Sequence, residues 1–335
     1  MKKVLFCAST ESHIINFHLP YLKAFHDMGY EVHVAVNKVV TIPWADKVIA
    51  LPFQKNILSP KNIGAIVKAY RLLKKENYNK MSTHTTLAGV IMRLAAIPLK
   101  KRPRIYHIVH GYIFNLNYSL KKLIYLIPEK IAAQVSDVVM VMNKEDLDIA
   151  RRYHLYKEKL HFINGIGIDP SRFKVVSEEE KMKEKKRRGF TKEDFLFVYA
   201  AEFSKRKNHK MLIKAFAQCK PPNTHLLLAG NGKLLERCKK LVEDLKMTEQ
   251  IHFLGYVDDI PTLYSACDAV ISSSRLEGLP FNIIEALGCN LPVFASNVKG
   301  HRDLCENGEN CFLFSNENEL KNQLSQETTD SFALI

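Results

Sequence analysis

Short, nearly continuous apolar runs alternate with amphipathic stretches along the whole chain, and this alternation limits the fold more than any other feature. In the first half the runs are Val4–Ala8, Val32–Val36, Val48–Leu51, Ile105–Val109 and Val138–Met142. In the second they are Phe195–Ala200, His225–Ala229, His252–Leu254, Ala269–Ser272, Pro292–Ala295 and Cys311–Phe314. Strands that are apolar on both faces must be covered on both faces, so helices are expected above and below a parallel sheet. Helical spacing falls between the runs, as in Leu19–Met28, Ile63–Lys75 and Met211–Ala217. Two such sets in 335 residues predict an α/β protein of two doubly wound domains, 1–165 and 166–335. The junction is set by Gly165, Gly167 and Pro170, which break the pattern. The charged stretch Glu178–Arg188 reads as a solvated helix or loop early in the second domain.

No apolar run approaches the ~20 residues that a membrane-spanning helix needs. The run after Met1-Lys2-Lys3 is too short for a secretory signal, so the reading is a cytoplasmic protein. The seven cysteines include no C-x-x-C pair and read as free thiols in a reducing compartment. Of the formal net charge of +14, +12 lies between residues 60 and 130, where 14 Lys or Arg face only Glu76 and Glu129. Such asymmetry calls for an acidic partner. Two segments there, Ile63–Lys75 and Ile113–Ile127, interleave cations with Ile, Leu, Tyr and Phe, and Lys100-Lys101-Arg102-Pro103-Arg104 lies between them. They fit an anionic membrane surface, or equally ordinary surface helices packed on a sheet. No nucleic-acid-binding motif accompanies the charge, so nucleic acid is not the expected partner.

The sharper signals lie in the second half. Leu228-Ala229-Gly230-Asn231-Gly232 runs from a strand into a helical pattern, and the small residues Gly230 and Gly232 let a ligand approach the backbone. The third glycine of the dinucleotide fingerprint is missing, with Leu235 at that spacing and Glu236 following in the helix, so a nicotinamide enzyme is not supported. In Ser272–Ala286 a strand ends in serines, a Gly-Pro turn follows and a helix begins near Phe281. Glu277 and Glu285, eight residues apart, can accept hydrogen bonds from the hydroxyls of a polyol, while the helix start can receive a phosphate. Lys205-Arg206-Lys207 follows a strand, at the edge where α/β sheets bind ligands, and can neutralise a diphosphate. Asp146 and Asp148 have D-x-D spacing, but Asn143 before them is a good helix cap, so no metal ligands are assigned.

Taken together, the Glu277–Glu285 segment, Leu228–Leu234, Phe253-Leu254-Gly255-Tyr256-Val257, Gly165–Asp169 with Phe173, and Val109-His110-Gly111-Tyr112 resemble the retaining glycosyltransferases of family 4, the bacterial capsule, exopolysaccharide and lipopolysaccharide enzymes in particular. The resemblance implies the GT-B fold, two Rossmann-like domains facing each other across a cleft. It implies that Lys207, with Arg206, binds the donor diphosphate, that Glu285 holds the ribose and that Glu277 holds the donor sugar. Gly278, Leu279, Pro280 and Phe281 would surround sugar and phosphate, and Gly230, Gly232, Tyr256 and Val257 would complete the donor site. His110 would lie near the reacting carbon, with Ser12, His13 and Asn16 shaping the acceptor site. His110, Glu277 and Lys207 are the implied catalytic residues.

Two features depart from the family pattern. Glu202 stands where an Arg is common, so Arg206 or Lys205 must compensate, and the chain stops at Ile335, which implies a short or missing C-terminal crossover. The expected reaction moves a sugar from a nucleoside diphosphate sugar, uridine first and guanosine second, to a lipid-linked or polysaccharide acceptor with retention. The donor is a co-substrate and no cofactor or metal is expected. The expected location is the inner face of the cell membrane, held peripherally. The rival readings are a sugar-nucleotide epimerase on the same architecture, which needs no acceptor, and a non-catalytic partner of a glycan-assembly complex. The sequence does not set the oligomeric state.

Overall fold

A computed structural model describes all residues except 55, 57, 58, 115–119, 166, 220, 221, 307, 310 and 327–335. The chain divides into two compact units, Met1–Ile166 and Gly167–Ile335. The first holds strands β1 (Lys2–Cys7), β2 (Tyr30–Val36), β3 (Lys47–Ala50), β4 (Lys80–His84), β5 (Arg104–Val109), β6 (Val138–Val141) and β7 (Lys159–Phe162). The second holds β8 (Phe195–Ala200), β9 (Thr224–Ala229), β10 (Ile251–Gly255), β11 (Ala269–Ser272), β12 (Val293–Ser296) and β13 (Cys311–Phe314). Both sheets are wholly parallel, in the orders β3-β2-β1-β4-β5-β6-β7 and β10-β9-β8-β11-β12-β13. In each, the strand order reverses beside the unit's first strand. There the loops leave toward opposite faces and open a crevice at the carboxyl ends of β1 and β4, and of β8 and β11.

Apolar side chains fill both faces of each sheet. In the first unit Leu5, Cys7 and Met81 pack on one face, while Val4, Phe6, Val32 and Val34 pack on the other. In the second, Phe197, Tyr199 and Leu226 face one layer, and Leu196, Val198 and Leu227 the opposite one. All six strands expected in the second half form. In the first half β4 and β7 were not foreseen. β4 is central yet reads Lys-Met-Ser-Thr-His, and its polar groups are satisfied locally: Ser82 Oγ lies 2.9 Å from His84 Nε2, and Thr83 Oγ1 2.9 Å from His107 Nδ1. The charged stretch after Ser177 is the helix Glu178–Arg187, closed at its start by a capping box between Ser177 and Glu180. Asn143 caps the helix Lys144–Tyr153, accepting from the Asp146 amide. The residues following Gln326 in the terminal stretch Ser325–Ile335 lie outside the described set.

Three expectations are corrected. Cys305 and Cys311 form a disulfide, because the turn before β13 brings their Cα atoms within 5.2 Å; the other five thiols are free. The apolar residues of the helix Lys61–Glu76 do not share one face: Asn62, Ala65, Ala69 and Leu73 are buried, the alanines letting it lie close to the helix Thr86–Ala96, Ile66 and Tyr70 pack at the edge of the core, and Ile63 and Val67 are left exposed. The basic region is not uniformly a solvated face either. Arg93 is fully buried and forms a bidentate pair with Glu129, 2.8 Å on each arm, while Arg102 grips Asp137, which also accepts from the Ile105 amide.

The Arg93–Glu129 pair joins the helices Thr86–Ala96 and Leu120–Ala133, with Ser136 Oγ and the Gly89 carbonyl taking further guanidinium protons. Burial opposes ionisation of Glu129, and the Arg93 charge overcomes it and holds the carboxyl below its usual range. Removing one partner strands the other charge in the core. Glu129→Gln should therefore lower the unfolding free energy by about 3–5 kcal/mol, measured by urea denaturation. The double variant with Arg93→Met should recover part of that loss.

Candidate functional site

In the second unit the loop after β8 and the loop after β11 are stitched together at the crevice. Tyr199 Oη donates to the Lys207 carbonyl at 3.0 Å and lies 3.0 Å from Ser274 Oγ. Ser273 Oγ donates to the carbonyls of Lys207 and Asn208, and the Arg275 amide donates to the Arg206 carbonyl at 2.8 Å. Asn208 takes the left-handed conformation that turns the loop into the helix His209–Cys219, and its side chain accepts from Arg275.

This frame brings three of the expected residues into contact. Glu277, only 6% exposed, accepts from Lys207 Nζ at 2.7 Å and from Arg206 Nη1 at 2.9 Å. Burial opposes its charge, and the two cations overcome that and keep it a carboxylate at neutral pH. Burial likewise lowers the pKa of Lys207. Arg206 also donates to the Leu276 carbonyl. Lys205 is exposed, so Arg206 is the cation that reaches Glu277 in the sequence where Glu202 stands. Lys207 and Arg206 thus meet Glu277, with Glu202 also acting on Lys207, in the loops that precede the helix Phe281–Gly288.

Gly278, Leu279 and Pro280 are buried in the turn before that helix, and Pro280 is its extended cap residue. Gly300 backs this turn so closely that a Cβ there would lie 2.7 Å from the Gly278 carbonyl oxygen. Behind it, Ser296 Oγ donates to the Ser274 carbonyl, and the His301 ring donates from Nδ1 to the Ser296 carbonyl at 2.8 Å. Glu285 sits one turn into the helix, half-buried, and does not join the Glu277 cluster; burial raises its pKa to about 7, with Arg172 acting against the shift. Tyr256 is exposed beyond β10, whereas Val257 packs on the core.

The glycine turn also has a reason within the fold itself. A Cβ at Gly230 would lie 2.2 Å from the Ala201 carbonyl oxygen, and one at Gly232 2.6 Å from that of Phe203. Their first duty is to let the turn rest against the backbone that carries the cationic loop. The Phe203 amide donates to the Asn231 carbonyl, and the Gly230 amide to that of Gly255.

In the first unit, His13 and His110 meet at 3.4 Å between their Nε2 atoms, while Ser12 and Asn16 are exposed on the same helix, Glu11–Phe17. Two further histidines join them. His18 lies against His84 with ring centroids 3.8 Å apart, and His84 Nδ1 is 3.3 Å from His110 Nε2. Burial drives His13 down to about 4 and His18 to about 3, and puts His84 and His110 well below the ordinary range, so all four are neutral at pH 7. His18 and His84 also line a largely apolar cavity of about 260 Å³ with Phe6, Tyr106, Ile108 and Met140.

A family model described as Glycosyltransferase Family 4 matches residues 21–172, and one described as Glycosyl transferases group 1 matches residues 180–329. Over 316 residues the chain is 33% identical to EpsD of Bacillus subtilis (strain 168), a protein named as a glycosyltransferase, with 93% of this chain and 83% of the relative covered. The chain belongs to glycosyltransferase family 4. This glycosyltransferase is also 28% identical over 266 residues to an Escherichia coli UDP-Gal:alpha-D-GlcNAc-diphosphoundecaprenol alpha-1,3-galactosyltransferase, covering 77% of this chain and 68% of that one. In fold it matches Anabaena HepE, whose structure was solved with UDP-glucose: the TM-score is 0.78 at 22% identity, over 97% of this chain and 89% of that one. The fold of the glycosyltransferase is therefore GT-B.

Sequence reasoning missed His84, Gly300 and His301. No spacing links His84 to His13 or His110; only the adjacency of β1, β4 and β5 does. The state of Glu285 makes a checkable pair of effects. Its carboxyl binds a proton in the folded chain up to about pH 7, above the usual carboxylate range, so its contribution to stability falls as pH rises through that window and stays low above it. Glu285→Gln should melt higher than the parent at pH 8, with the gap closing toward pH 5, in thermal denaturation at the two pH values.

Proposed function

We propose that this glycosyltransferase moves a sugar from a uridine diphosphate sugar to a lipid-linked glycan acceptor, with retention of configuration, in bacterial surface-glycan assembly. The observation that carries the reading is the buried Glu277 carboxylate clasped by Lys207 and Arg206 beside a helix start. In this scheme the donor diphosphate takes over the two cations, which stabilise the charge that grows on it as the glycosidic bond breaks. Glu277, released toward the sugar, accepts its hydroxyl protons. Glu285 accepts from the ribose in its ionised form, Tyr256 lies against the base, and the amides of Gly278–Phe281 face the phosphate. The uridine donor follows HepE, seen with UDP-glucose, and the lipid-linked acceptor follows the galactosyltransferase that names one.

Lys207→Ala should reduce kcat by roughly 10²–10³-fold, the usual cost of removing one preorganised charge-stabilising donor, and should also lower the melting temperature, because the buried Glu277 carboxylate is left with Arg206 alone. Glu277→Gln should behave differently. It leaves both cations uncommitted, so it should bind free UDP at least as tightly as the parent by calorimetry while transfer to a diphosphoprenol-linked sugar collapses. Parental turnover in both variants would remove the donor site. The anomeric configuration of the product, read by proton NMR, tests retention.

The same reading places the protein peripherally at the inner face of the membrane. The helix Leu120–Ala133 supports this, because part of its apolar surface faces outward although Leu126, Ala132 and Ala133 pack inward. Lys122 and Glu129 are buried, Lys122 donating to Tyr153 Oη at 2.9 Å, while Ile127 is 54% and Ile131 48% exposed. Ile63, Val67 and Ile97 add apolar exposure, and Lys100, Lys101 and Arg104 supply charge. Apolar side chains enter the headgroup region while cations meet anionic lipid. Vesicles containing anionic lipid should bind the protein and neutral ones should not. Replacing Lys100, Lys101, Arg104, Ile127 and Ile131 by Ser should abolish that binding; Arg102 is left alone because it holds Asp137. Equal binding to both vesicle types would overturn the membrane reading.

A further inference from the structure

We propose that His13, His18, His84 and His110 together form a binding site for one divalent transition-metal ion of the zinc class. One ring nitrogen from each histidine lies within 4.8 Å of the others. A tetrahedral ion with metal–nitrogen bonds of about 2.0–2.1 Å separates its ligands by roughly 3.3–3.4 Å. Two of the separations already have that value, 3.4 Å for His13 with His110 and 3.3 Å for His84 with His110, and small ring rotations bring in the rest.

Hydrogen bonding alone does not satisfy this group. His110 Nε2 faces His13 Nε2 and His84 Nδ1 at once, and a neutral imidazole nitrogen offers either one proton or one lone pair. In either form one contact is left unmet. His18 Nε2 is a second problem: its residue is 1% exposed and that atom has no hydrogen-bond partner. A cation at the centre gives each lone pair a partner. Ser82 fits as an outer partner: its hydroxyl can accept the Nε2 proton of His84, which leaves Nδ1 bare toward the ion. Imidazole donors suit zinc, cobalt, nickel and copper and do not suit magnesium or calcium.

The four ligands come from the helix Glu11–Phe17, the residue that follows it, the end of β4 and the residue after β5. An ion there would clamp the carboxyl edge of the first sheet at its switch point. All four positions are filled by protein, so the role is to fix these loops rather than to activate water. The site lies wholly within the first unit and shares no residue with the Glu277, Lys207 and Arg206 cluster, so binding of the ion alone can be tested apart from the donor diphosphate reading.

The test uses the full chain stripped with a chelator and titrated with cobalt(II), then zinc(II), with no sugar nucleotide present. One cobalt per chain should bind with the intense visible absorption of tetrahedral coordination, be displaced by zinc, and raise the melting temperature. His13→Gln and His110→Gln, at the more open side of the cluster, should each weaken cobalt binding at least ~10-fold, and Ser82→Ala about 10-fold. His225→Gln, from the separate His225–His252 pair, should change nothing. Absence of tetrahedral cobalt absorption in the parent would overturn the proposal. So would cobalt affinity unchanged in folded His13→Gln and His110→Gln, judged by circular dichroism.

Discussion

Everything functional in this molecule follows from a constraint on parallel strands. Each crossover must be right-handed, so a sheet that grows from its first strand in both directions sends successive helices to opposite faces. The loops beside that first strand then diverge, and their carboxyl ends form a crevice. Here it happens twice, between β1 and β4 and between β8 and β11. The first crevice collects the histidines and the second the cations with Glu277. The chain needs no further device to bring residues seventy positions apart into contact, as Lys207 and Glu277 are.

Within the second crevice, geometry and charge support each other. A carboxylate as deeply buried as Glu277 needs compensating charge, and Lys207 and Arg206 supply it. Those cations hold their places because the backbone of their loop is pinned from three sides, by Tyr199, Ser273 and Arg275. The pins are ordinary hydrogen bonds of the loop backbone, so the electrostatic centre is preformed before any ligand arrives. In the first unit the same logic runs in reverse: the buried Arg93–Glu129 pair uses charge to lock two helices, one of which leaves Ile127 and Ile131 on its outer side.

The legible part of the sequence was the part whose physics is local. Strands of the second unit announce themselves as apolar runs, and the cationic loop and Glu277 stand in short motifs at strand ends. β4 was illegible because it is a central strand made of polar residues, and such residues become acceptable there only when Ser82 meets His84 and Thr83 meets His107, partners no period reveals. Missing β4 meant missing His84, and with it the convergence of four histidines. The outward face of the helix Leu120–Ala133 was hidden for a related reason. Lys122 and Glu129 look like surface residues until Tyr153 and Arg93 are found beneath them.

The paired glycines after β9 illustrate how a motif can mislead about what it records. Gly230 and Gly232 are required by the chain's own backbone at Ala201 and Phe203, whether or not a nucleotide ever approaches. A descendant that had lost every catalytic side chain would still be obliged to keep both, since any side chain there would push the two loops apart and unseat β8 from β9. The Gly-x-Gly signature is thus a record of architecture, and it would outlive the enzyme.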